Sequence, residues 1–154
     1  MDFFVNWLSS TPMFSVPLIL AALGLIINER AGVINLGAEG IMLCGALFCI
    51  IGFFNFFENI YIALIVGALA GAFLSVIFAV LVVIFRTNQV VTGVTFVFLG
   101  YGLTGLIGIN WVNKTVPGIE TLEIPILYEI PVIGKIFFNH DFMIYLTIIF
   151  VFLL

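Results

Sequence analysis

Charge is nearly missing from this chain. Four Lys/Arg and eight Asp/Glu make up 8% of its 154 residues, against about a quarter in an ordinary soluble domain. So few charged groups cannot furnish the polar shell that a soluble fold of this size requires, which excludes a soluble globular domain. Their spacing points to a bilayer. Between Glu58 and Arg86 lie 27 residues without a charge, and between Arg86 and Lys114 another 27. A hydrocarbon core about 30 Å thick takes about 20 helical residues to cross, so each stretch spans it with length to spare for tilt.

Other absences narrow the function. The net charge is −4 and no basic patch exists to bind phosphates, which argues against a nucleic-acid partner. The only cysteines, Cys44 and Cys49, stand five residues apart in an apolar stretch. On a helix they face different sides, so neither a disulfide nor a metal pair is expected and both read as small packing residues. No Walker A pattern occurs, because the Gly134-Lys135 pair is followed by Ile136. ATP-driven work therefore falls to another chain, and no cofactor is implied. The one histidine, His140, sits beside Asp141 at the start of a late apolar run and reads as interfacial. No pairing with a serine or cysteine, and no HExxH spacing, supports hydrolysis. The N-terminus lacks the basic region of a cleavable signal, its only early charge being Asp2.

What remains is a series of apolar runs, which predicts an all-α, polytopic transmembrane helix bundle of about five spans. Ser9-Ser10-Thr11-Pro12 reads as a helix start, followed by a first run from Met13 to Ile27. That run is short for a full span unless Phe3 to Leu8 joins it or lies in the interface, with Trp7 as an anchor. Later runs cover Ile41–Phe57, Ile60–Phe85 and Val90–Val112. The segment 113–141 follows as a loop with Pro117, Pro125 and Pro131 and half of the acidic residues. A fifth run opens at Phe142 and has thirteen residues to Leu154, a rise of only about 20 Å. The expectation is a single transmembrane domain, 1–154, forming the N-terminal part of a longer protein.

Two stripes of small residues mark where helices approach closely in lipid. One comprises Ala63, Gly67, Gly71, Ser75 and Ala79, the other Gly100, Thr104 and Gly108. Charge orients the bundle weakly. Arg86 follows the third run and belongs in the cytoplasm by the positive-inside rule, which puts 113–141 outside. Lys114 and Lys135 lie in that outer loop, and only Arg30 joins Arg86.

Two polar segments interrupt the hydrophobic pattern. The first, Asn28 to Gly40, reads N-E-R-A-G-V-I-N-L-G-A-E-G. Irregular backbone at membrane depth is tolerated only where protein buries it or a watery cavity borders it. Glu39 opens a long apolar run. It reads either as a functional ionisable group in a span or as an interfacial carboxylate favoured by a helix N-terminus. The second segment, Arg86-Thr87-Asn88-Gln89, is by composition a tight connection whose amides cap or solvate the turn.

The string T-P-M-F-S-V-P-L-I-L-A-A-L-G-L-I-I-N-E-R-A-G-V-I-N-L-G-A-E-G-I-M-L-C-G-A resembles the N-terminal region of permease subunits of bacterial ABC importers. The group it resembles is the nucleoside and simple-sugar permeases, relatives of the ribose and branched-chain amino-acid permeases. R-T-N-Q-V-V-T-G-V, from Arg86 to Val94, looks like that group's next signature, and I-P-V-I-G-K-I fits its external loop. The resemblance runs from about Thr11 onward and is most specific over 28–46. It implies a subunit that forms a translocation pathway in the bacterial cytoplasmic membrane. The implied partners are a second permease subunit, a cytoplasmic ABC ATPase, an extracytoplasmic substrate-binding protein and membrane lipid. Asn35, Glu39, Asn88 and Gln89 match the polar signatures and are the implied pathway residues, with the mixed donors and acceptors that sugar hydroxyls or base edges need. Two other classes remain as alternatives: a membrane-embedded enzyme using Glu39 as acid or base, and a structural or assembly subunit of a membrane complex.

Overall fold

The computed structural model describes residues 2–56, 58–119, 121–123 and 139–154. The chain divides into two compact units, one made of Met1–Gly24 with Gly118–Leu154 and the other of Leu25–Pro117.

In the first unit, the sequence expected a helix to start at Ser9–Pro12. Instead, helix α1 runs unbroken over Asp2–Arg30 and carries Pro12 and Pro17 inside it, its last turns belonging to the second unit. A proline removes one backbone donor, but hydroxyls supply local hydrogen bonds along the same stretch. Thr11 Oγ1 donates to the Trp7 carbonyl at 3.0 Å, and Ser15 Oγ to the Thr11 carbonyl at 2.9 Å. Phe3–Leu8 thus joins the first span.

The segment expected to be a plain loop contains two short strands, β1 (Thr121–Glu123) and β2 (Asn139–Asp141). They pair antiparallel with Leu122 opposite His140. The expectations for Pro125, Pro131, Lys135 and the I-P-V-I-G-K-I string lie outside the described residues. Helix α5 follows over Phe142–Leu153, with His140, Ile144 and Thr147 buried.

The second unit is a three-helix bundle built on close backbone contact. Helix α2 spans Ala38–Asn55, α3 spans Ile60–Ala79 and continues as a π-helical turn over Val80–Ile84, and α4 spans Gln89–Ile107 and tightens to a 3₁₀ turn over Gly108–Trp111. These three and the part of α1 from Thr11 are long and apolar enough to cross a membrane, which makes this a multi-pass membrane protein. Asn59 caps α3 by accepting from the Tyr61 and Ile62 amides, as an N-cap asparagine does.

Helices α2 and α4 run parallel, because their contacts advance together along both. A Cβ at Gly100 would lie 2.5 Å from the Gly40 Cα, and one at Gly108 would lie 3.6 Å from Leu47. Nearer their C-terminal ends, the Phe54 and Trp111 rings stack at 5.3 Å. Helix α3 runs the other way. A Cβ at Gly67 would come within 2.7 Å of the Gly45 carbonyl oxygen, and one at Gly71 would meet Ile41 at 3.8 Å. The core gathers at the α4 N-terminal end, where Phe78, Val82 and Phe96 are buried against Val33, Ile41, Leu74 and Leu81.

Candidate functional site

Each residue of the Arg86–Gln89 connection has a structural task. The π turn leaves carbonyls unpaired at the end of α3. Arg86 takes a left-handed backbone, φ 52°, which turns the chain so that the Thr87 amide and Oγ1 both reach the Leu81 carbonyl, at 3.2 and 2.9 Å. Thr87 Oγ1 also lies 2.9 Å from Thr92 Oγ1. Asn88 is the N-cap of α4, its Oδ1 accepting from the Val90 and Val91 amides at 3.0 and 3.2 Å.

Gln89 reaches furthest. Its Oε1 accepts the Ile34 amide at 2.8 Å, tying α4 to a segment 55 residues earlier. The two polar segments singled out by sequence therefore meet.

On the earlier segment, α1 ends at Arg30 and Gly32 adopts φ 81°, the left-handed geometry that glycine supplies after a helix C-terminus. Its amide bonds to the Glu29 carbonyl, and the Val33 amide to that of Asn28. Asn35 Oδ1 then accepts from the Gly37 amide at 3.0 Å and starts α2. Between these points the chain lies along α4: Ile34 at Gln89, Gly37 against Gly93 and Phe96, Gly40 against Phe96 and Gly100. At 1.5 Å per residue, Gly40 is roughly 10–17 Å along α4 from Gln89. The segment 33–37 is thus non-helical backbone packed on the first two turns of α4, covered by protein as such backbone requires.

Glu39 occupies the first turn of α2, as an interfacial carboxylate would, yet that turn lies deep along α4. Its carboxylate is exposed on the surface of the unit and accepts the Tyr101 hydroxyl at 2.5 Å. Tyr101 stands midway along the span Gln89–Trp111 and is 52% exposed. An apolar groove of about 390 Å³ continues beyond the pair between α2 and α4, from Leu43 and Thr104 to Ile50 and Val112. At the C-terminal ends of the two helices the Phe54–Trp111 stack is topped by Lys114 Nζ, 4.8 and 4.2 Å from the two ring centres. A cation over aromatic rings contributes about 0.5–1 kcal/mol where it is exposed.

The structure thus brings Asn35, Asn88 and Gln89 to one end of the Leu25–Pro117 unit and Glu39 further along α4, beside Tyr101. The side-chain oxygens of Asn35, Asn88 and Gln89 are committed to backbone amides, while Glu39 faces outward. Of the first small-residue stripe, Ala63 is buried and Gly67 packs on Gly45 and Cys49, whereas Gly71 meets only Ile41, Ser75 is half-buried and Ala79 is exposed. Of the second, Gly100 touches Gly40, Gly108 meets Leu47, and Thr104 Oγ1 bonds back to the Gly100 carbonyl at 2.7 Å. Sequence reasoning missed Tyr101, and also Gly37, Gly40 and Gly93 as the other sides of the α2–α4 contact. Tyr101 carried a signal, a hydroxyl in the middle of a charge-free run.

The model of the family described as branched-chain amino acid transport system / permease component matches residues 8–154. The chain belongs to that permease family. Among curated proteins it is similar to a "Putative glucose ABC transporter permease protein" of Haloferax volcanii, 36% identical over 155 residues, covering 97% of this chain and 46% of the relative. It is also similar to a guanosine ABC transporter permease protein of Bacillus subtilis, 36% identical over 140 residues, covering 84% of this chain and 44% of the relative. A nucleoside ABC transporter permease protein of Lactococcus lactis subsp. cremoris is 33% identical over 143 residues, 82% of this chain and 43% of the relative. This permease chain therefore spans under half the length of the curated relatives it matches. No solved structure matches it.

Proposed function

We propose that this chain builds part of the translocation pathway of an ATP-driven importer for nucleosides or simple sugars. Its place is the cytoplasmic membrane. It works there with a second permease subunit, a cytoplasmic ABC ATPase that supplies the energy, and an extracytoplasmic binding protein that delivers the substrate.

One observation carries this reading: the Glu39 carboxylate lies on the outward surface of the α2–α4 pair, bonded to Tyr101, which stands midway along the apolar helix α4. A carboxylate facing lipid at that depth costs several kcal/mol, so ionisable groups in spans face a bundle interior or a watery cavity. Of these two settings we place Glu39 at the cavity, bordering the pathway. Asn35, Asn88 and Gln89 shape its wall through the backbone amides that their oxygens hold. The names of the relatives divide between glucose and nucleosides, so the substrate is sought in both classes.

The test is uptake of labelled nucleosides, pentoses and glucose by cells with the complete importer operon and by cells from which this gene is deleted. Uptake of one class should vanish with the gene and return with the parent copy. Glu39→Gln should insert and assemble but restore at most about a tenth of the rate, the scale of losing a hydrogen bond to a charged group. Equal uptake by deleted and intact cells in every class would refute the importer role. Normal uptake with Glu39→Leu would remove Glu39 from the pathway.

A further inference from the structure

We infer that Tyr101 is a second ligand-contacting residue of this pathway, and that with Glu39 it forms an acceptor-only site selecting neutral, hydroxyl-rich ligands and rejecting anions. The inference rests on the proposed place of Glu39 in the pathway and adds to it what that place admits.

The argument is an inventory of donors and acceptors. An ionised carboxylate has two oxygens, about four lone-pair positions and no proton to donate; a phenol has one proton and two lone pairs. The Tyr101 proton is spent on Glu39, at 2.5 Å. What the pair offers any further group is therefore acceptors alone: the remaining positions on the carboxylate and those on the phenol oxygen. These come from two parallel helices in contact through Gly40 and Gly100. That contact keeps the two side chains side by side, so adjacent hydroxyls of one ligand can each donate to one of them.

The surroundings supply little that would reverse the preference. On α2 and α4 beyond the pair the groove is lined by Leu43, Ala46, Leu47, Ile50 and Ile109. The hydroxyl of Thr104, which also lines it, is already donated to the Gly100 carbonyl. A phosphate or carboxylate brought to this point would meet a like charge at low effective dielectric, where charges interact far more strongly than in water. A sugar ring with vicinal hydroxyls would instead donate two hydrogen bonds, one of them to a charged acceptor, the stronger kind.

The test uses the complete importer with its own binding protein, so that the binding protein's selectivity is common to all variants and cancels in ratios. Saturable uptake is measured for the imported ligand and for its analogue lacking one of two vicinal hydroxyls, in the parent and in Tyr101→Phe. Tyr101→Phe should raise KM for the full ligand about 3- to 10-fold, the worth of one hydrogen bond, with the maximal rate near that of the parent. The deoxy analogue should lose nothing further, giving a non-additive cycle. In parallel, an acidic analogue in which the primary alcohol is oxidised to a carboxylate is offered as a competitor. Glu39→Gln should let it compete at least about tenfold better than in the parent, since the repulsion is gone. Unchanged KM in Tyr101→Phe, additive effects of the two deletions, or equal exclusion of the acidic analogue by parent and Glu39→Gln would each overturn the inference. Parent uptake in those same cells shows that the importer reading stands apart from that outcome; absence of parent uptake would defeat the importer reading itself.

Discussion

A buried polar atom is either satisfied or costly, and this rule sorts the polar residues of the chain. Asn88 was drawn from sequence as a pathway residue and, by composition, as a turn amide. Its Oδ1 caps α4, so Asn88→Ala should lower stability by about 1 kcal/mol, and Asn88→Ser, which keeps a capping oxygen, should restore most of it. Thermal unfolding in detergent measures both; equal losses in the two variants would contradict a capping role. Tyr145 is the opposite case. Its hydroxyl is the one buried side-chain polar atom without a hydrogen-bond partner among the described residues. Tyr145→Phe removes a group whose desolvation costs about 1–3 kcal/mol, and should leave stability unchanged or raised in the same assay. A lowered midpoint would mean that the hydroxyl is bonded after all. Asn35, Glu39, Asn88 and Gln89 were legible because polar residues stand out in an apolar chain. Their partners were not: the bond from the Ile34 amide to Gln89 spans 55 residues, and no local pattern encodes a contact at that separation.

Helices were legible because four apolar stretches of membrane length leave few other structures in a bilayer. The boundaries that sequence misplaced are the ones tertiary contact decides. Helix α2 begins at Ala38 rather than Ile41, since Gly37 and Gly40 can lie directly on α4. Helix α1 begins before the Ser-Thr-Pro cluster rather than at it. The small-residue stripe on α3 was read as uniform, yet its contacts are graded. A Cβ at Gly67 would lie 2.7 Å from a backbone oxygen, whereas one at Gly71 would find only ordinary contact at 3.8 Å. Gly67→Ala should therefore destabilise by about 1–3 kcal/mol through overpacking. Gly71→Ala should be neutral or mildly stabilising, because alanine is the better helix former by about 1 kcal/mol. Gly100→Ala, with its Cβ 2.5 Å from the Gly40 Cα, should be the worst of the three. Detergent melting curves that rank Gly71→Ala with Gly67→Ala would show that α2 and α3 do not cross where the structure puts them.

For the molecule in its membrane, the remaining choice is which end of the Leu25–Pro117 unit meets the cytoplasm. Parallel α2 and α4 with antiparallel α3 place the 28–35 segment and the 86–89 turn at one end, and the 55–59 turn with 112–117 at the other. Arg30 and Arg86 then share the first end, and Lys114 is at the second, where it lies over Trp111 and Phe54. Basic residues in short loops are retained in the cytoplasm, and aromatic rings gather at membrane interfaces. The first fact favours the arginine end inside and the Lys114 end outside; the second sets Trp111 at an interface without choosing its side. The count is evenly split, Arg30 and Arg86 against Lys114 and Lys135, and the shortness of the Arg86 turn decides it, because short loops weigh more. The prediction uses exposed positions free of any cap: Glu29→Cys for the first end and Thr115→Cys for the second, each on a background with Cys44 and Cys49 replaced by alanine. A membrane-impermeant thiol reagent should label Thr115→Cys in intact spheroplasts and Glu29→Cys only in inverted vesicles. Labelling of both from one side would break the parallel arrangement of α2 and α4. The reverse pattern would keep the fold but invert the unit, placing the Gln89–Ile34 clasp outside.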